Sequence, residues 1–134
     1  MSLAWSISHP KHLVVVVAKG DLQHHDIELL LLSIRSAHAS GYRKFVDVTR
    51  LAIPPRPQTL RQLGGVVHQP ESEQAIVPIA IVARKGASLR QANAVAKAAE
   101  MKRLIRGFSD KDEARRWLDS FYAFGDQISG RLAQ

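Results

Sequence analysis

The chain has 134 residues, 46% of them hydrophobic and 23% charged, the size and balance of a single globular domain over 1–134 rather than of a disordered or fibrous polypeptide. The absence of cysteine excludes disulfides, thiolate metal sites and a cysteine nucleophile, and the longest purely apolar run, Leu13 to Ala18, is too short to cross a bilayer. A net charge of +7 is spread over both halves, with one local basic window from Arg84 to Arg106, and Met1-Ser2-Leu3-Ala4-Trp5 lacks a secretory pattern, so a cytoplasmic protein is expected.

Leu3, Trp5 and Ile7 alternate with Ala4, Ser6 and Ser8, the period of a strand with one buried face. Pro10 ends it in a turn, and Leu13 to Ala18 reads as the returning strand of a hairpin, apolar on both faces and so expected to be central, with helices above and below. Ile27, Leu30, Leu31, Ile34 and Ala37 form a helical stripe, with Asp21 the candidate N-cap and Gly41 the candidate stop. Phe45 to Val48 is a third strand. Pro54-Pro55-Arg56-Pro57 breaks the chain before a helix expected from Gln58 to about His68, weakened by Gly64-Gly65. Ile76 to Ala83 is a further apolar strand. Ser88 is the candidate cap of a helix with Ala92, Val95, Ala96 and Ala99 on one face. Leu104 to Phe108 is the last strand, and Asp110 with Glu113 opens a final helix that buries Ala114, Trp117, Leu118 and Phe121. Strands joined by single helices are parallel neighbours, so the expected fold is α/β: one mostly parallel sheet of about five strands, an antiparallel N-terminal hairpin strand and about four helices.

Two phrases add a resemblance. Phe45-Val46-Asp47-Val48-Thr49 is similar to the apolar-Asp-apolar-Ser/Thr strand end of STAS domains, and Gly107-Phe108-Ser109-Asp110-Lys111-Asp112-Glu113-Ala114-Arg115-Arg116-Trp117-Leu118 is similar to the closing phrase of STAS-like proteins. The chain thus resembles the STAS fold of bacterial anti-sigma-factor antagonists and its STAS-like, lipid-binding kin over about residues 3 to 124. The resemblance implies a regulatory module. It does not carry over the phosphorylated serine of those antagonists, because the matching segment, Leu51 to Thr59, holds neither Asp nor Ser and offers only Thr59 as a hydroxyl.

Asp47 falls at the carboxyl end of a parallel strand, where α/β proteins place ligand contacts, and Thr49 follows it; equally, Asp47 can accept hydrogen bonds from Thr49, Arg50 or loop amides and hold the turn. Arg84, Lys85 and Ser88 join a strand end to a helix start, a place where amides and cations favour an anion, although a serine cap with two solvated cations explains them as well. No phosphate-loop or dinucleotide motif is present, and none of the six histidines stands at metal-ligand spacing. With few aromatic residues outside the expected core, nucleic acid is not an expected partner. The ligand-binding candidates are therefore Asp47, Thr49, Arg84, Lys85 and Ser88, with no catalytic residue, metal or cofactor assigned. The expected function is a small regulatory or binding module acting through a protein partner, a homodimer, or a small anionic, apolar or lipid-like ligand. The alternative is an enzyme acting on a phosphorylated or carboxylated small molecule. A polar pocket joining the Asp47 and Arg84 loops would favour the enzyme, and loops closed by Pro54 and Pro55 the module.

Overall fold

The computed structural model describes residues 2–63, 77–98 and 105–121. Its elements are β1 (Leu3–Ser8), β2 (Leu13–Gly20), α1 (His24–Ser36), β3 (Arg43–Leu51), α2 (Pro57–Leu63), β4 (Ile79–Val82), α3 (Ala87–Ala98), β5 (Ile105–Phe108) and α4 (111–121). The strands lie in the order β1-β2-β3-β4-β5, with β1 antiparallel to β2 and every other pair parallel. This is the α/β sheet expected from the sequence.

Each parallel crossover steps one strand in the same direction, and a right-handed connection then puts every crossover helix on the same face. The burial follows that rule. Val14, Val16, Val46, Val48, Ile79 and Ile81 pack with Ile27, Leu30, Ile34, Leu60 and Leu63 in one core. The opposite face is covered by α4, whose Ala114 and Leu118 are buried against Leu13, Ala80, Val82 and Phe108, while Trp117 packs there half-buried. Val15 and Val17 on that face of β2 are only half-buried, so β2 lies next to the sheet edge and is not enclosed on both sides as its apolar run suggests.

Several boundaries differ from the sequence reading for identifiable reasons. Asp21 does not cap α1; the N-cap is Gln23, which makes no side-chain cap bond. Its place is taken from outside the helix. Ser2 donates its amide (2.9 Å) and hydroxyl (2.7 Å) to Asp26 Oδ2 and accepts the Gln23 amide at 3.0 Å, tying the start of β1 to the first turn of α1. The hydrogen bonds from the Ser2 side chain and backbone hold the Asp26 carboxyl below its ordinary value.

Gly41 does not stop α1 either. The helix ends at Ser36, and His38 takes the left-handed conformation (φ 56°), with its amide on Arg35 O (3.0 Å) and the Ala39 amide on Ile34 O (2.9 Å), the bond pair of a Schellman motif. Pro57 is the first residue of α2, where a missing amide costs nothing, so the proline cluster breaks the chain one residue earlier than expected. The expected continuation of that helix to His68, the starts of the fourth and fifth strands at Ile76 and Leu104, and the tail after Gly125 lie outside the described residues.

Candidate functional site

β3 is the strand that organises the carboxyl end of the sheet. Its register against β2 shifts between Val17 and Lys19, so that Val17 pairs with Asp47 but Lys19 with Arg50, one extra residue on β3. Such a bulge reverses side-chain alternation. Leu51 therefore points into the same core as Val46 and Val48, while Asp47, before the bulge, faces the α4 side by ordinary alternation from Val46.

Asp47 is buried there, with 3% of its surface exposed. Its Oδ1 accepts the Thr49 amide at 2.9 Å and the Thr49 hydroxyl at 2.6 Å, and Lys111 Nζ lies 3.2 Å from Oδ2. Burial pushes this carboxyl up, but the Thr49 side chain, the Thr49 amide and Lys111 together outweigh it and hold the group below its ordinary value, so it is ionised at neutral pH. Arg84 donates from Nε to Thr49 O at 2.6 Å, which joins the end of β4 to the end of β3. Asp47, Thr49 and Arg84 are thus brought together.

Lys85 is exposed in the turn before α3, and Ser88 is half-buried. Ser88 is not the cap: α3 begins at Ala87, directly after Gly86 (φ 97°), so Ser88 already lies in the first turn. The amide of Leu89 is taken by Arg84 O at 3.0 Å and that of Arg90 by Gly86 O at 3.0 Å. The positive φ at Gly86 makes the tight entry that a serine cap was expected to provide.

Lys111 escaped the sequence reading, although a signal for it was present. Asp110 caps α4 through Oδ1 to the Asp112 amide at 2.9 Å, as the capping pattern foretold, and a cap following a strand end sets the next residue beside the neighbouring strand ends.

A cleft of about 340 Å³ opens at the same end of the sheet, between the β2–α1 connection (Gly20, Asp21, Leu22) and the β3–α2 connection (Ile53, Pro54, Arg56), with Thr59 and Gln62 along one wall. It does not reach Asp47, Thr49, Arg84, Lys85 or Ser88. Pro55 is buried beneath it, whereas Ile53 is 71% exposed, so the loop is anchored by one proline and presents an apolar shelf. Arg50, Arg56, Arg84 and Lys85 are exposed around this end, with Asp21 their exposed acidic neighbour in the cleft wall.

The histidines that look suggestive in sequence sit elsewhere. His9 Nδ1 is 2.6 Å from Tyr42 Oη and the His12 ring lies against Tyr42 (5.0 Å between centroids), at the amino ends of the parallel strands. His24 pairs with Glu28 on the surface of α1. Among the described residues no group of three or more His, Asp or Glu side chains could hold a metal ion, and no helix is long and apolar enough to cross a membrane.

This arrangement defines an α/β module with the SpoIIAA-like, STAS-like architecture. The chain is similar in structure to an uncharacterized protein of the DUF3478 family with a SpoIIAA-like fold from Shewanella loihica PV-4, with a TM-score of 0.59 and 19% identity over 87% of this chain and 93% of that one. It is also similar to an anti-sigma factor antagonist from Mycobacterium paratuberculosis, with a TM-score of 0.53 and 15% identity over 88% of this chain and 95% of that one. At these identities the likeness is one of fold. No family model and no curated protein matches the sequence.

Proposed function

We propose that the chain, acting as one cytoplasmic module over residues 1–134, is a regulatory binding protein whose working surface is the carboxyl end of the sheet. The observation that carries this reading is the division of labour there. The ionised Asp47 is satisfied by Thr49 and Lys111, while the neighbouring β3–α2 loop exposes Ile53 beside an open cleft. A carboxylate so bound has little left for proton transfer, whereas an exposed isoleucine on a proline-anchored loop suits contact with another surface.

The exposed Arg50, Arg56, Arg84 and Lys85 favour a partner with an apolar patch rimmed by acidic residues. The fold shared with an anti-sigma factor antagonist is in keeping with a protein partner, and a small anionic or lipid-like ligand in the cleft is the competing occupant.

Site-specific photo-crosslinking in cells separates these occupants. A crosslinker at Ile53 is expected to trap one discrete protein species. The same group at Leu32, the other large exposed apolar side chain among the described residues (55% exposed, on α1), serves as the control and is expected to trap none. Equal adduct patterns at the two positions, or a small molecule recovered at Ile53 in place of a protein, would overturn the reading.

A further inference from the structure

The two edges of the sheet are built differently. β5 is short, carries the exposed Arg106, and has one amide, that of Gly107, capped by Asn93 Oδ1 at 3.1 Å. Charge and brevity are among the devices by which proteins keep an edge strand from pairing, and a capped amide is one donor fewer for a partner strand. β1 has none of them: Leu3-Ala4-Trp5-Ser6-Ile7-Ser8 contains no charged residue, no proline and no bulge in its register with β2.

The open groups of β1 can be identified. The Lys19 amide donates to Ser2 O at 2.8 Å, which fixes the phase of the antiparallel ladder. Ala4, Ser6 and Ser8 therefore exchange their bonds with Val17, Val15 and Leu13, and Leu3, Trp5 and Ile7 direct their amides and carbonyls away from the sheet. Among the described residues, no loop or turn hydrogen bond takes them.

These residues are symmetric about Trp5, so a strand identical to β1 and running against it meets every open group with its complement. We propose that β1 is the interface between two copies of this chain, paired antiparallel about a two-fold axis at Trp5, so that the two five-stranded sheets become one. In that register Leu3 stands opposite Ile7 of the partner subunit and Trp5 opposite Trp5 of the partner subunit. The half-buried Trp5 and Ile7 then extend the apolar core across the axis. On the other face the exposed Ala4 stands opposite Ser6 of the partner subunit, and both are small enough not to obstruct the pairing.

The test uses that last pair, because both side chains are exposed in the single chain. Light scattering of the wild type from micromolar concentration upward is expected to show the mass approaching twice that of the chain. The double variant Ala4→Lys/Ser6→Lys puts like charges directly opposite one another at the interface and is expected to run as a monomer with an unchanged circular dichroism spectrum. Ala4→Lys/Ser6→Glu puts opposite charges there and is expected to restore the dimer. Hydrogen exchange of the wild type gives a second readout, with the Trp5 and Ile7 amides expected to slow as concentration rises. A wild type that stays monomeric with concentration-independent exchange at these amides would overturn the proposal. So would a Lys/Lys variant that remains a dimer, or a Lys/Glu variant as monomeric as the Lys/Lys one.

Discussion

Lys44 carries the least expected charge in the molecule. Only 2% of it is exposed, on the α1 side of β3, and its ammonium donates to two carbonyls, Ser40 O and Tyr42 O, each at 3.0 Å. Burial lowers its pKa from 10.5 to about 8. The unfolded chain therefore holds this proton over a range of pH in which the folded chain has released it, and stability rises as pH climbs from about 8 toward 10.5. The size of the shift corresponds to about 3 kcal/mol. Urea unfolding of the wild type and Lys44→Met across that range measures it. The wild type is expected to gain stability relative to the variant as pH rises, and parallel curves would contradict the assignment. Neither Lys44 nor its neighbour Arg43 reads as strand in the sequence, where β3 was expected to begin at Phe45. Charged residues in a buried strand are tolerated when local carbonyls receive them, and here Arg43 donates to Leu118 O (2.7 Å) and Lys11 O (2.8 Å). Those partners lie far away in sequence, or in a turn whose shape only the fold determines.

At the scale of elements, the connections between helices and sheet are where sequence pattern and structure part company. The apolar periodicities of α1, β1 and β2 and the acidic cap of α4 place those elements correctly, because each is a local signal repeated over several residues. Single-residue signals are less reliable. Asp21, Gly41 and Ser88 are good terminators by type, but α1 is tied off by Ser2 and His38, and α3 opens from Gly86. Gly107 has a role that no local pattern announces: a Cβ built there would lie 2.8 Å from Asn93 Oδ1 and 3.0 Å from the Cβ of Ala92. Those contacts record how closely α3 lies on β5. Gly107→Ala is expected to lower stability by about 1–3 kcal/mol, because the helix must move off the strand and the Asn93 bond to the Gly107 amide is strained or lost. Thermal unfolding, with Asn93→Ala as the companion that removes one of the two obstacles, measures it. The Gly107→Ala penalty should shrink in the Asn93→Ala background, and an unchanged penalty would place the strain elsewhere.

At the scale of the whole molecule, β3 is held by charges at two places, Arg43 and Lys44 where it enters and Asp47 with Thr49 at its middle, level with the end of β4 and not at the strand end expected from the sequence. The sequence made Asp47 and Thr49 visible as candidates because a strand end is a conspicuous place for a carboxylate. It did not show the bulge that turns Leu51 back into the core, nor Lys111 as the partner of Asp47, nor the apolar shelf at Ile53, since each depends on register or on contact between distant segments. In the proposed function this carboxylate is spent inside the protein and the neighbouring shelf is the working surface. Removing a group kept for catalysis tends to leave stability unchanged or raise it, whereas removing a group kept for structure lowers it. The measurement that separates the two is urea unfolding of Asp47→Ala at neutral pH. Loss of the two Thr49 hydrogen bonds and the Lys111 contact is expected to destabilise the chain by about 2 kcal/mol. The deficit should narrow on acidification, as the wild-type carboxyl, whose pKa lies below its usual 3.8, takes up its proton. An Asp47→Ala variant as stable as the wild type or more so would contradict a structural role for this carboxylate.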